Sequence, residues 1–289
     1  MTRRRVALVL ALAALHAAGV AARAAQPFFP FCIDWHDAKK RSFVEQAAML
    51  KELGYDGVGH IWLDKVEERV ASLDAVGLKL YQITMTVNIA PGQAPYDRKR
   101  FREVLGVVKG RNVQFLLIFD GANPSDTSAD DRAVPALREM SDLAREADAS
   151  LLLYPHTGNW IERIEDAVRV ADEVDRSNVG VMFNLCHWLR VSEDRDYQAR
   201  LRQAMPRLRA VSINGADERD DGAGWDRYIQ PLGQGSFDVG ALLKTLRELG
   251  YSGPIGLQCY GIGGDAREHL ARSMAAWRRL QAGRAGRQR

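Results

Sequence analysis

Cysteine is scarce in this sequence. Three occur in 289 residues, Cys32, Cys186 and Cys259, each inside an apolar, strand-like run. An odd number cannot all pair within one chain, so a disulfide framework does not organise the fold. The three read as small buried hydrophobes. The short metal-binding spacings are missing as well: there is no CxxC, no HxH and no HxxxH. No linker-like stretch divides the chain, and no short-period repeat is present. Excess charge is also lacking. The formal net charge is +3, but Arg3, Arg4, Arg5 and Arg23 fall in residues 1–24, which hold no acid. Residues 25–289 therefore carry a net charge of −1, which removes the electrostatic basis for nucleic-acid binding. The basic residues of 284–289 read as a frayed, solvated terminus.

What is present begins with an export signal. Arg3 to Arg5 form a basic start, residues 6–22 are apolar and alanine-rich, and Ala22-Arg23-Ala24 places small residues where a signal peptidase reads them. A signal peptide over residues 1–24 is expected, with an exported, periplasmic or secreted product and no membrane attachment after cleavage. A membrane anchor is the alternative; the segment is short and alanine-heavy for one. Thr2-Arg3-Arg4 resembles a twin-arginine signal only weakly.

From residue 27 onward, short apolar runs alternate with longer amphipathic ones. Strands are predicted over residues 28–34, 57–61, 78–85, 113–120, 151–156, 179–184, 208–214 and 255–260. Helices are predicted over 40–53, 66–76, 98–109, 133–147, 161–174, 197–205, 239–249 and 266–280. Val239, Leu242, Leu243 and Leu246 fall at helical spacing, and Gly250 stops that helix. Residues 113–120 are nearly all apolar, as suits a parallel strand covered on both faces. A polar loop spans 215–236. Eight strands alternating strictly with eight helices favour one α/β domain over residues 25–289. Its expected form is a closed (β/α)₈ TIM barrel, in preference to an open doubly wound sheet.

In such a barrel the site lies at the C-terminal ends of the strands. The residues expected there are Asp34 and His36 after the first strand, His60 and Trp62 on the second, and Asp120 on the fourth. The fifth supplies Tyr154 and His156, the sixth Asn184 and His187. The seventh gives Ser212 and Asn214, followed by Asp217 and Glu218, and the eighth Gln258 and Tyr260. Four of the five histidines beyond residue 24 stand on this rim; His269 lies on a helix. Histidine titrates near neutral pH and suits proton transfer. Trp35, Trp62, Trp160 and Trp188 lie close behind. Aromatic faces mixed with amides and histidines suit a sugar-like ligand; packing between loops and barrel is the other use for each tryptophan.

The segments LKELGYDGVGHIW, LLLYPHTGNW, NVGVMFNLCHW, AVSINGAD and PLGQGSFDVGALLKTLRELGYSGPIGLQ, with their spacing, resemble the xylose-isomerase-like TIM barrels. That group includes sugar isomerases, ketose 3-epimerases, inosose dehydratases and apurinic-site endonucleases. In the sugar-active members the resemblance implies a divalent metal. Its ligands are a glutamate on strand five, an aspartate on strand six, a histidine on strand seven and a glutamate on strand eight. Here those positions carry Tyr154, Asn184, either Ser212 or Asn214, and Gln258. Gly59 replaces a glutamate often found on strand two. The histidine three residues past the strand-six ligand is kept as His187, a position that contacts substrate in the epimerases. Neutral amides are poor ligands for Mg²⁺ or Mn²⁺, so a divalent metal is weakly supported and the cofactor is left open. An endonuclease would need a multi-zinc cluster and a basic face, and neither is here.

The resemblance thus implies an isomerase, epimerase or lyase acting on a carbohydrate or polyol by proton transfer. His156, His187 and Tyr154 are its candidate catalytic groups. Asn184, Asn214, Gln258, His60, Asp34, His36, Asp217 and Tyr260 are candidates for holding substrate. The rival readings are a carbohydrate-binding barrel without catalysis and a rim whose polar groups serve loop structure alone.

Overall fold

The computed structural model describes residues 26–33, 36–218 and 224–285. The predicted signal segment lies outside them, as do Asp34 and Trp35. The elements run in this order: β1 (Phe28–Phe31), α1 (Phe43–Leu53), β2 (Gly57–Ile61), α2 (Val66–Asp74), β3 (Lys79–Asn88), α3 (Arg98–Val108), β4 (Gln114–Asp120), α4 (Asp130–Arg145), β5 (Ser150–Leu153), α5 (Ile164–Val174), β6 (Val179–Asn184), α6 (Leu185–Val191), α7 (Tyr197–Ala204), β7 (Leu208–Ile213), α8 (Trp225–Tyr228), α9 (Val239–Glu248), β8 (Ile255–Gln258) and α10 (Ala266–Ala285).

All ladders are parallel, and the strands follow one another around the sheet from β1 through β8 and back down to β2. The remaining gap is narrow. The Asp56 amide donates to the Phe28 carbonyl at 3.0 Å, and β1 passes so near β2 that a Cβ on Gly59 would lie 2.7 Å from Phe31 Cβ. Glycine at 59 is thus a requirement of closure. The result is the expected (β/α)₈ barrel.

Strand alternation divides the side chains into an inner and an outer set. Inside, Phe29 stacks on Tyr81 at 4.5 Å, and Phe31, Leu116, Leu152, Met182 and Ala210 pack beneath Tyr154. Outside, Phe28 stacks on Tyr55 and on Trp277 of α10. Fully burying a side chain of this size stabilises by roughly 1.5–3 kcal/mol, so both layers are strongly specified. Local signals agree with the fold. Ser42 and Glu45 form a reciprocal capping box at the start of α1, and Gly54 ends it at φ +87°.

Several expected boundaries move, each for a physical reason. β5 ends at Leu153 rather than 156: the Tyr154 amide still reaches the Leu117 carbonyl at 3.1 Å, and Pro155 then has no N–H to continue. β1 stops at Phe31 because Cys32 turns the chain at φ +59°. β8 stops at Gln258, whose side-chain oxygen accepts from the amides of Cys259 and Tyr260, both at 3.1 Å. The expected turn after β6 is the helix α6, and the 215–236 loop holds α8 and an antiparallel bridge between Gly215 and Gln230. Among the described residues no helix is long and apolar enough to cross a membrane.

Candidate active site

A cavity of about 450 Å³ opens at the C-terminal ends of the strands. That lies within the roughly 300–1,000 Å³ of ordinary small-molecule clefts. Tyr154, His156, His187, Gln258 and Tyr260, from the sequence-based set, all line it, together with Asp120.

Its floor is a locked arrangement around Tyr154. The Asn184 side-chain oxygen accepts from the amides of Cys186 and His187 at 3.1 and 3.4 Å, which caps α6. The Asn184 NH₂ must therefore face the other way, and it donates to the Tyr154 hydroxyl at 2.8 Å. Gln258 is oriented likewise by two backbone amides, and its NH₂ donates to the same hydroxyl at 3.4 Å. The Tyr154 oxygen accepts from both, so its own proton is left to donate elsewhere. Burial raises the Tyr154 pKa well above the usual tyrosine value, so the phenol stays neutral.

The wall is a pair of imidazoles. The turn after β5, with Gly158 at φ +84°, brings Asn159 back onto His156; the first turn of α6 delivers His187. The two rings lie 4.1 Å apart between centroids, tilted by 43°. His156 Nδ1 meets Asn159 Oδ1 at 2.7 Å. The Asn159 NH₂ donates to the Phe119 carbonyl at 3.1 Å and to Asp120 at 2.7 Å. His187 Nδ1 accepts from the Thr157 backbone amide at 3.2 Å. Burial lowers the pKa of both histidines; the Asn159 contact partly offsets this for His156, and the nearby His156 ring lowers His187 further. Both are neutral at pH 7.

The mouth is aromatic. Trp62 and Tyr260 are among the few exposed large apolar side chains, at 38% and 43%. Trp225 stands edge-on to His187 at 5.1 Å. Asn159, Thr157 and Trp225 were not among the sequence-based candidates. The His-x-Gly-Asn turn carried the signal for Asn159; Trp225 sits in a loop without periodicity.

Other expected rim residues are elsewhere. His60 points to the outer side of the barrel: Nε2 contacts the Asp64 carbonyl at 2.8 Å, Arg69 Nε donates to Nδ1 at 3.5 Å, and Phe43 of α1 packs edge-on. Its neighbour Ile61 takes the inward place. Asn214 is fully buried, and its NH₂ donates to the carbonyls of Gly215 and Tyr228, which ties these two residues together. The ladder pairs Asn184 with Ser212, so Ser212 stands at that level of the barrel. Asp217 pairs with Arg227 at 2.6 Å. His36 stands edge-on to Tyr260 at 4.8 Å, one residue behind the cavity lining. Asn184 acts from beneath, through Tyr154 and the cap of α6. Asp34 lies outside the described residues. Of the tryptophans, Trp160 is fully buried and donates to the Asp126 carbonyl, and Trp188 packs against Phe183, Tyr197 and Phe237.

The positions implied to hold a metal carry a neutral phenol, two amides and a hydroxyl, with the amides already committed to hydrogen bonds. A hard divalent cation needs carboxylate oxygens, and this donor set does not fit one. Among the described residues no group of three or more histidine, cysteine, aspartate or glutamate side chains is arranged to hold a metal ion.

Residues 47–280 match the family model described as "Xylose isomerase-like TIM barrel". No curated protein matches the chain. Solved structures do. A D-psicose 3-epimerase from Clostridium cellulolyticum H10 is 15% identical, covering 89% of this chain and 98% of that one at a TM-score of 0.68. A 3-keto-D-glucoside 4-epimerase from E. coli is 18% identical, covering 89% and 100% at 0.69. An AP endonuclease, family 2, from Brucella melitensis is 18% identical, covering 88% and 98% at 0.64. At these identities the likeness concerns the fold.

Proposed function

We propose, for a chain that belongs to the xylose isomerase-like TIM barrel family, that the rim cavity is a site for proton transfer on a carbohydrate or polyol. The reaction is of isomerase, epimerase or lyase type. The observation that carries this reading is the pair of neutral imidazoles on one wall of a cavity floored by the Tyr154 hydroxyl. A neutral imidazole can accept a proton, and a phenol can donate one to a ligand oxygen. Aromatic rings at the mouth offer flat apolar faces to a sugar, and the polar floor orients hydroxyls. The epimerases among the structural neighbours support the substrate class.

His156, His187 and Tyr154 are the proposed catalytic groups, and Gln258 and Tyr260 hold substrate. Proton transfer rests on these side chains and not on a metal, because the donor set does not fit one. We also propose export, on the strength of the basic and apolar pattern of residues 1–24; N-terminal sequencing of the product from an exporting host tests it, and an intact Met1 would overturn it.

The test is a screen of the purified protein against aldoses, keto-sugars, glycosides and polyols. Turnover of at least one class is expected, with strong loss in His156→Ala and His187→Ala. Full turnover in both variants would overturn the assignment. Binding without turnover would favour a carbohydrate-binding protein instead.

A further inference from the structure

The hydrogen bonds around the two histidines do more than hold them; they fix which nitrogen of each carries the proton. The Phe119 carbonyl can only accept, so the side-chain nitrogen of Asn159 faces it. Asn159 Oδ1 then faces His156, and an amide oxygen can only accept. His156 Nδ1, 2.7 Å away, must be the protonated nitrogen. Its Nε2 bears the lone pair. Asp120 strengthens the arrangement by accepting from the same Asn159 NH₂ at 2.7 Å.

His187 is fixed in the opposite sense. The Thr157 backbone N–H can only donate, and it points at His187 Nδ1 at 3.2 Å. That nitrogen bears the lone pair, and Nε2 carries the proton. The Thr157 hydroxyl, 3.1 Å from the same nitrogen, can donate to it as well. One ring therefore offers a base and the other a donor.

The spacing adds a second constraint. At 4.1 Å between centroids the rings are in van der Waals contact, and nothing fits between them. A substrate must lie to one side of the pair. Inversion at a single carbon by two groups needs one on each face of that carbon, which this pair cannot supply.

Resting on the reading above, we propose that His156 and His187 form one same-face acid–base unit: His156 Nε2 takes a carbon-bound proton, and the His187 Nε2–H polarises the neighbouring carbonyl oxygen. Asn159 and Thr157 are positioning residues that hold the two rings in opposite tautomers. The C–H bond breaks, its electron pair forms the carbon–carbon double bond of an enediolate, and the carbonyl π pair moves onto oxygen. The second hydroxyl passes its proton to the enediolate oxygen and becomes the carbonyl, while the His156 imidazolium returns its proton to the former carbonyl carbon, which completes a 1,2-shift. Where the other neighbour of the deprotonated carbon, β to the carbonyl, carries a leaving group, the enediolate re-forms its carbonyl, a carbon–carbon double bond forms to that neighbour, and the group departs with its bonding pair and the proton from His156. A neutral imidazole, still carrying one N–H, is competent to polarise a carbonyl in this way.

The tautomers are read directly from long-range ¹H–¹⁵N correlations of the uniformly ¹⁵N-labelled mature chain at pH 7.5, assigned with H156Q and H187Q. His156 protonated at Nδ1 and His187 at Nε2 is the expected result; the same tautomer in both rings, or fast averaging in either, overturns the proposal. Asn159→Leu is expected to release His156 from the Nδ1–H form and lower kcat roughly tenfold or more with KM little changed. An unchanged His156 spectrum in Asn159→Leu also overturns it. With a substrate from the sugar panel, the product should be a 1,2-isomer or an elimination product, and inversion at one carbon counts against the same-face arrangement. Absence of turnover across the panel defeats the enzymatic reading by itself, whatever the spectra show, so the two failures are distinguishable.

Discussion

His60 and His156 both stand at or just past the end of a barrel strand, yet they face opposite sides of the wall. His60 lies on the outer face of β2, against Phe43 and Arg69. His156 follows β5 into the cavity, beside a second imidazole. Residue type and rim position are the same; the difference is strand parity. One register step sends a side chain to the core between sheet and helices or to the ligand space. The outer histidine completes the surroundings of a fully buried arginine, Arg69. The inner one has a hydrogen-bonded edge and an edge left for chemistry.

Substitutions can break this contrast. The largest effect is expected at the inner pair: His156→Ala and His187→Ala should each lower kcat about 10²–10⁴-fold on a panel substrate, with thermal midpoints near that of the parent. Equal loss of midpoint and activity would mean the pair is structural.

A third histidine sharpens the point. His269, on α10, is buried, and its Nδ1 has no hydrogen-bond partner among the described residues. Burial, reinforced by Arg272, lowers its pKa from 6.5 to about 4. The unfolded chain protonates this side chain near 6.5 and the folded one only near 4, so the unfolded state binds more protons in between. Stability is therefore full above pH 6.5 and falls as pH drops toward 4, by roughly 3 kcal/mol at the limit. Denaturant unfolding against pH should show this slope, reduced in His269→Leu; identical slopes in both would refute it.

His60→Ala comes next. It leaves a donor of buried Arg69 without that acceptor, and a cost of about 1–3 kcal/mol is expected with turnover unchanged. A drop in kcat without loss of stability would reverse the comparison. The smallest effect on stability is expected at Tyr154→Phe, about 1 kcal/mol, since the Asn184 and Gln258 amides lose their shared acceptor. Its larger signature is slower turnover, and unaltered kinetics would remove Tyr154 from the proposed mechanism.

These contrasts also show what could be read from the residues alone. The barrel was legible because apolar strands and amphipathic helices alternate eight times, and that pattern survives shifts of a few residues at any boundary. Tyr154, His156, His187, Gln258 and Tyr260 were legible as rim residues. His60 was misplaced because a strand with both faces buried, Gly57–Ile61, shows no polar alternation from which to read parity. Helix α6 was read as a turn: seven residues, five of them buried, carry little amphipathic period, although Asn184 was a cap signal in plain view. Asn214 and Asp217 were assigned by position, and loop geometry that no local pattern encodes turned them to Tyr228 and Arg227.

Metal-free proton transfer by the imidazole pair is tested by kcat/KM against pH for the chelator-treated protein, its His156→Ala variant and its His187→Ala variant, on whichever panel substrate turns over. The parent should keep its activity after chelation and lose it only as acid protonates the pair, with a midpoint below 6.5. Each variant should fall at least about 10²-fold. Full turnover in both variants, or activity that vanishes on chelation and returns only with Mg²⁺ or Mn²⁺, would contradict it.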